Sequence, residues 1–206
     1  MLDSPSSAAL EAALTALRRG DVVVYPTETL YGLGADSTSP HALAQLIALK
    51  GRRDGKPISV LVDGRDMLDA VAASLTPMAE RLIARFWPGP LTLVVAARAS
   101  VSEILTAGSG TIGVRWSSHP IATALVAGLG RPLTAPSANP TDAAPALSIE
   151  QARAYFGTRV AAYVDGGRCA GGVGSTVVDV TDETPRVLRE GAIAVAALRT
   201  AAAEAA

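Results

Sequence analysis

Short β-branched runs alternate with capped helical segments along most of this chain, and that alternation narrows the folds open to it. Residues 22–25 (VVVY) run straight into Pro26. Residues 58–62, 91–96, 111–115, 133–135, 161–165, 176–180 and 186–188 are further strand candidates. Helical segments with start and stop signals lie between them. Ser6 or Ser7 can cap an Ala/Leu-rich helix that stops at Gly20, a residue suited to the left-handed conformation. Ser39-Pro40 opens a second helix, with Leu43, Leu46 and Ile47 on its apolar face and an end near Lys50-Gly51. Thr76-Pro77 opens another, which Trp87-Pro88-Gly89-Pro90 must terminate. A helix follows Ser118-His119-Pro120, Ser148 with Gln151 makes a capping-box pattern before one more, and an Ala-rich tail closes the chain. Apolar strands alternating with helices predict an α/β fold with a mixed, largely covered sheet.

At 206 residues, with no repeat and no low-complexity linker, the chain 1–206 reads as a single domain. Aromatic residues make up only 4%, against 49% hydrophobic residues, so the core must be built from Val, Leu, Ile and Ala. A net charge of −1 argues against attraction of the whole surface to nucleic acid and leaves room for a local basic cleft. Cys169 is the only cysteine, so no intrachain disulfide can form, as in a reducing compartment. The start has no basic segment followed by a long apolar run, and no stretch approaches the ~20 apolar residues that span a bilayer. A cytoplasmic protein without membrane contact is expected.

Several segments break the regular pattern. Residues 26–34 (PTETLYGLG) set hydroxyls between an inflexible proline and two glycines, so backbone N–H groups can approach a bound anion closely. The plain alternative is a strand-to-helix turn whose Thr and Glu satisfy backbone groups. Residues 50–57 (KGRRDGKP) place Lys50, Arg52, Arg53 and Lys56 at a helix exit. A solvated cap favoured by the helix dipole explains such cations. A phosphate site is the alternative, because two glycines and a proline shape the loop and a strand follows at once. In residues 111–115 (TIGVR) a period of two puts Thr111, Gly113 and Arg115 on one face, opposite Ile112 and Val114. That face either meets a ligand across the glycine or belongs to an edge strand with an exposed arginine.

Three prolines in residues 132–140 (PLTAPSANP) hold the backbone away from regular pairing, with Ser137 and Asn139 between them. Residues 171–176 (GGVGST) lack the Gly-Lys-Ser/Thr ending of a P-loop and no helix follows, so a Walker A reading is rejected. Arg189-Glu190-Gly191 adds a basic residue beyond the last strand. His41 and His119 have no partners at metal spacing, Cys169 reads as a structural thiol, and Trp87 reads as a core plug under a turn.

Together and in order, these segments resemble the YrdC/TsaC family of threonylcarbamoyladenylate synthases over about residues 20–191. The likeness is carried by PTETLYGLG (26–34), KGR (50–52), WPGPLT (87–92), Val114-Arg115 with His119-Pro120, APSAN (135–139), GST (174–176) and LREG (188–191). The resemblance implies a single YrdC-like α/β domain of the short bacterial form, its twisted mixed sheet flanked by helices around a wide basic cavity. It implies synthesis of L-threonylcarbamoyladenylate from L-threonine, bicarbonate and ATP, with release of pyrophosphate. That product feeds a separate threonylcarbamoyl transferase system that modifies tRNA, and tRNA or RNA is itself a candidate partner. Carried over by position, Thr29, Arg115 and Ser175 belong to threonine. Lys50, Arg52, Lys56, Thr111, Ala135 through its backbone, Ser137, Asn139 and Arg189 belong to ATP. Mg2+ arrives with the triphosphate, and no protein metal ligand or catalytic residue is assigned.

Departures from the family pattern touch threonine selection and loop shape. Arg53 stands where proline is common, Leu61 where histidine is common, Ser117 or Ser118 in place of a proline, and Thr141-Asp142 in place of Ser-Gly. The chemistry fits the residue types. A threonine carbamate must attack the α-phosphorus of ATP, both partners are anions, and Lys50, Arg52, Lys56, Arg115, Arg189 and Mg2+ would offset their repulsion. The same cleft could instead hold RNA without catalysis, although aromatic stacking platforms are few. A carbamoyl-phosphate-using domain, as in hydrogenase maturation, is a further alternative.

Overall fold

The computed structural model describes residues 7–51, 55–169 and 172–203, in which nine strands and eight helices form. In chain order they are α1 (Ser7–Arg18), β1 (Val23–Pro26), β2 (Tyr31–Gly34), α2 (Pro40–Lys50), β3 (Val60–Leu61), α3 (Arg65–Val71), α4 (Pro77–Phe86) and β4 (Leu91–Ala96). There follow α5 (Glu103–Thr106), β5 (Thr111–Arg115), α6 (Pro120–Leu129), β6 (Leu133–Thr134), α7 (Ile149–Phe156), β7 (Ala162–Tyr163), β8 (Thr176–Asp179), β9 (Arg186–Arg189) and α8 (Val195–Ala203).

The caps work largely as read. Gly20 makes the left-handed stop after α1 at φ 87°, while Ser6 lies outside the described residues. Ser39 Oγ accepts from Ala42 N at the start of α2, and Gly51 closes that helix at φ 62°. Ser148 caps α7, but Gln151 Oε1 accepts from Leu147 N, one residue before the cap, so the capping box is displaced by one position. Helix α3 carries no sequence signal that distinguishes it, and α5 only Ser102, whose Oγ accepts from Ile104 N. The Gly64 cap of α3 makes no side-chain bond, and α5 is four residues long.

The strands sort into two sheets where one was expected. A three-stranded sheet has the order β2-β1-β7, and a six-stranded sheet the order β6-β3-β5-β4-β8-β9, each mixing parallel and antiparallel pairs. The bridges Gly32↔Ser137 and Asp36↔Leu133 join them. Strand β5 is internal, between β3 and β4, so the edge-strand reading of residues 111–115 does not hold. Over β5, β4 and β8 the six-stranded sheet is covered on one face only, while Leu61 of β3 and Leu133 of β6 turn the opposite face into the core under α1 and α6. Leu91, Leu93, Val95, Ile112, Val114 and Val178 turn into a core shared with Met78, Ala79 and Leu82 of α4 and Leu198 of α8. Thr92, Val94, Thr111, Gly113 and Arg115 alternate with them and are left for a cavity. A second core packs α1 against α6 through Leu14, Leu17, Ile121 and Leu125, with Val23 and Tyr25 of β1 beneath. Each such leucine contributes roughly 1.5–3 kcal/mol by leaving water. Among the described residues no helix is long and apolar enough to cross a membrane.

Residues 26–34 form a hairpin, not a strand-to-helix turn. Thr27 N donates to Leu30 O, Thr27 Oγ1 donates to the same carbonyl, and Leu30 N donates back to Thr27 Oγ1. The glycines of the returning strand have a packing cause. Gly32 and Gly34 lie under the ring of Tyr25, where an added Cβ would stand 3.2 and 3.0 Å from its carbons. Gly34→Ala should therefore strain the hairpin, lowering unfolding free energy by about 1–3 kcal/mol, the usual cost of overpacking. Urea denaturation of the two proteins measures it. A parental midpoint would mean that the Tyr25 ring yields freely.

Candidate active site

The open face of the six-stranded sheet is the floor of a cavity of about 870 Å3. Period-two alternation brings Thr92 and Val94 of β4, Thr111, Gly113 and Arg115 of β5, and Val177 and Asp179 of β8 onto that floor. Gly113 lets the strands close up, since a Cβ there would meet Ser59 and Thr92 at 3.2 and 3.3 Å. The 27–30 hairpin turn, the end of α2 and the 135–142 loop supply the walls.

Arg115 is buried at the inner end, 6% exposed, and its guanidinium is held on several sides. Nε donates to Gly89 O at 3.2 Å, and Nη1 donates to Thr29 Oγ1 at 3.2 Å. Nη2 stands 2.7 Å from Glu28 Oε1 as an ion pair, off the line of a hydrogen bond. The proline–glycine run at 88–90 puts the Gly89 carbonyl in place: Gly89 N donates to Trp116 O, and a Cβ on Gly89 would collide with Phe86 O. Trp87 packs against the core and donates its indole N–H to Leu91 O. Burial pushes the Glu28 carboxyl up, but the charge of Arg115 and the hydrogen bond from Ser117 outweigh it and hold the group below its ordinary value.

Ser175 and Arg189 make a second cluster. Ser175 Oγ lies 2.8 Å from Thr92 Oγ1, and Arg189 donates through Nε and Nη2 to Ser175 O and through Nη2 to Ser175 Oγ. Gly191 lets the end of β9 lie against this turn, because a Cβ there would overlap the Gly174 and Ser175 carbonyls. Burial, and after it the like charge of Arg115, lower the basicity of Arg189. Two guanidiniums thus converge on one space, and a bound anion would relieve their repulsion.

The third cluster joins α2 to the proline-rich loop. Lys50 Nζ donates to Ser137 O at 2.8 Å and reaches Asn139 Oδ1 at 3.5 Å. Thr141 donates through both N and Oγ1 to Lys50 O. Asp142, at φ 68°, faces the cavity from the left-handed region that aspartate tolerates. Lys50, Lys56, Arg115, Arg186 and Arg189 line the cavity against Asp142, Asp179 and Glu190, so its charge is positive on balance. Asp179 is engaged by Arg186 and Thr181, and Glu190 accepts from Val195 N.

Of the residues singled out in sequence, Thr29, Lys50, Lys56, Thr111, Arg115, Ala135, Ser137, Ser175 and Arg189 all line this cavity. Asn139 does not. Its Oδ1 accepts from Ser137 Oγ and its Nδ2 donates to Pro140 O and Ala143 O, so it shapes the loop that carries Ser137. Arg52 and Arg53 lie outside the described residues. Leu61 is fully buried in the α1–α6 core and does not line the cavity. Ser59 and Thr92 also line the cavity. Thr92 closes the 87–92 motif, whereas nothing around Ser59 marks it beyond the alternation of buried Ile58 and Val60. Glu28 sits within the 26–34 motif but becomes significant only through its contact with residue 115.

Known proteins resemble this chain over most of its length. The Sua5/YciO/YrdC family model, described as telomere recombination, matches residues 15–191. A protein of Mycobacterium tuberculosis H37Rv is 40% identical over 187 residues, 91% of this chain and 86% of that protein. A threonylcarbamoyl-AMP synthase of Thiobacillus denitrificans is 40% identical over 84% of this chain and 90% of its own length. The crystal structure of Pyrococcus abyssi Sua5 complexed with L-threonine superposes with a TM-score of 0.91 at 34% identity, over 95% of this chain and 57% of that one.

Because Glu28 titrates below its ordinary value when folded, the sign of its linkage is set: it stabilises the fold above the unfolded carboxyl pKa, and that contribution is lost as pH falls through the folded pKa. Urea unfolding should find Glu28→Gln less stable than the parent at pH 7, with the difference shrinking on acidification. A difference that does not vary with pH would mean the pair contributes nothing through charge.

Proposed function

From the Sua5/YciO/YrdC family, to which this chain belongs, we infer that the protein is a threonylcarbamoyl-AMP synthase, making L-threonylcarbamoyladenylate from L-threonine, bicarbonate and ATP with release of pyrophosphate. The observation that carries this reading is the convergence of Thr29, Arg115 and Ser175 with Lys50, Lys56, Thr111, Ser137 and Arg189 on one positively lined cavity. Arg115, flanked by Thr29 and near Arg189, offers a fork suited to the threonine carboxylate, and Ser175 adds a hydroxyl. Lys50, Lys56, Thr111, Ser137, Arg189 and the Ala135 backbone hold the triphosphate and nucleoside, with Arg52 joining them. Asn139 serves ATP indirectly, by shaping the loop.

The threonine amine takes up carbon dioxide, or bicarbonate with loss of water, and a carbamate oxygen attacks the α-phosphorus in line as the bond to the leaving pyrophosphate breaks. Both partners are anions, so cations on the cavity wall do most of the work by offsetting repulsion. Holding the two reactants together supplies up to about 7–11 kcal/mol in favourable cases. Mg2+ enters on the triphosphate as part of the substrate; no group of three or more His, Cys, Asp or Glu among the described residues is placed to hold it. The product would pass to a threonylcarbamoyl transferase system that modifies tRNA, in the cytoplasm.

Purified protein with ATP, Mg2+, bicarbonate and threonine should release pyrophosphate, and omitting threonine or bicarbonate should abolish release. Equal release without threonine would leave a generic nucleotide hydrolase. A non-catalytic RNA module would release none and would bind RNA with a steep salt dependence.

Arg115→Lys tests the fork. A lysine cannot reach Gly89 O, Thr29 Oγ1 and Glu28 at once, so kcat/KM for threonine should fall by about tenfold or more. Parental activity in the lysine variant would reduce Arg115 to a structural charge.

A further inference from the structure

The guanidinium of Arg115 is useful to a carboxylate ligand only if its plane is fixed, and Arg115 cannot fix it alone. A long cationic side chain carries about 2 kcal/mol of rotamer entropy. Gly89 O holds Nε, Thr29 Oγ1 holds Nη1, and Glu28 pairs with Nη2. Glu28 does not line the cavity. It is nonetheless an anion beside the one arginine that a ligand carboxylate must also use. If Glu28 swung inward it would occupy the donors of Arg115 and exclude that carboxylate.

Ser117 prevents this. It is 2% exposed, and its Oγ donates to Glu28 Oε2 while accepting from His119 N at 3.2 Å. Its carbonyl accepts from Thr123 Oγ1 in the first turn of α6, and Ser118 N reaches Glu28 Oε1 at 3.4 Å. His119 Nδ1 accepts from Ile121 N as the cap of the same helix. The start of a rigid helix is thus tied through Ser117 to Glu28, and through Glu28 to the orientation of Arg115.

We infer that Ser117 and Glu28 are positioning residues for the amino-acid substrate: Ser117 pins the Glu28 carboxylate to the outer side of Arg115 and leaves its inner side to the substrate carboxylate. The inference rests on the synthase reading. It places the effect in the affinity for threonine and not in that for ATP, since both residues act through Arg115, whose fork is given to the threonine carboxylate.

Steady-state pyrophosphate release by the parent, Ser117→Ala, Glu28→Gln and the double variant tests it, with threonine and ATP titrated separately. Losing a hydroxyl bond to a carboxylate should raise KM for threonine about 3- to 10-fold in Ser117→Ala, with kcat and KM for ATP near parental. Ser117→Thr, which keeps the hydroxyl, should recover most of that affinity. In the Glu28→Gln background Ser117→Ala should add little, because the serine acts through the glutamate. A parental KM for threonine in Ser117→Ala, with only the melting temperature lowered, would make the serine merely structural and overturn the inference. Additive effects in the double variant, or equal rises in both KM values, would overturn it too. Failure of the synthase reading shows separately and earlier, as a parent whose pyrophosphate release does not depend on threonine, and it takes this inference with it.

Discussion

Arg115 is a charge taken out of water at the end of a central strand, and much of the surrounding architecture exists to make that tolerable. Removing an arginine from solvent costs several kcal/mol unless geometry and hydrogen bonds repay it. Here repayment comes from three groups on two distant segments: the Gly89 carbonyl, and the Thr29 hydroxyl with the Glu28 carboxylate. Each needs its own local structure. The 88–90 run aims the carbonyl, the 27–30 hairpin turn presents Thr29 and Glu28 together, and the start of α6 steadies Glu28 through Ser117. A site built this way is stiff before any ligand arrives, which favours electrostatic recognition of an anion over induced fit.

The rest of the cavity follows the same logic at lower cost. Leaving one face of the six-stranded sheet uncovered over β5, β4 and β8 sacrifices apolar burial, and Thr92, Thr111, Asp179 and the guanidiniums at the strand ends stand there beside Val94 and Val177. The proline-rich loop is pinned to the C-terminal end of α2 by Lys50 and Thr141, so the lysine faces the cavity while its hydrogen bonds hold the wall beside it. Arg189 likewise braces the Ser175 turn and faces the cavity. In both clusters a cation first satisfies protein carbonyls and then adds to the field over the floor.

Much of this was legible along the chain because it is local. The caps at Ser39, Thr76 and Ser148, the stops at Gly20 and Gly51, and the alternation in residues 111–115 depend on neighbours within four or five positions, and they appear as read. The hairpin at 26–34 was misread because two glycines weaken the strand pattern. The reason they are tolerated, the ring of Tyr25, lies on the preceding strand. Asn139 was grouped with the ligand residues by its place in a motif. Its side chain is taken up by its own loop and by Lys50, a matter of where Pro140 O, Ala143 O and the end of α2 fall.

The sequence by itself determined the class of fold, the order of nearly all elements, and a set of hydroxyl and cationic residues whose common order points to one family. Those features are written in periodicity and capping, which act over a turn of helix or a few residues of strand. Only the tertiary structure decided that the strands divide into two sheets, that one face of the larger sheet stays open over β5, β4 and β8, and that Leu61 lies in the core under α1 and α6. It alone joined Glu28 to Arg115 and Ser117 across more than eighty residues of chain. The reason is physical: a buried charge is balanced by whatever lies within a few ångströms of it, and nearness in space across such separations is set by how the sheets and helices pack.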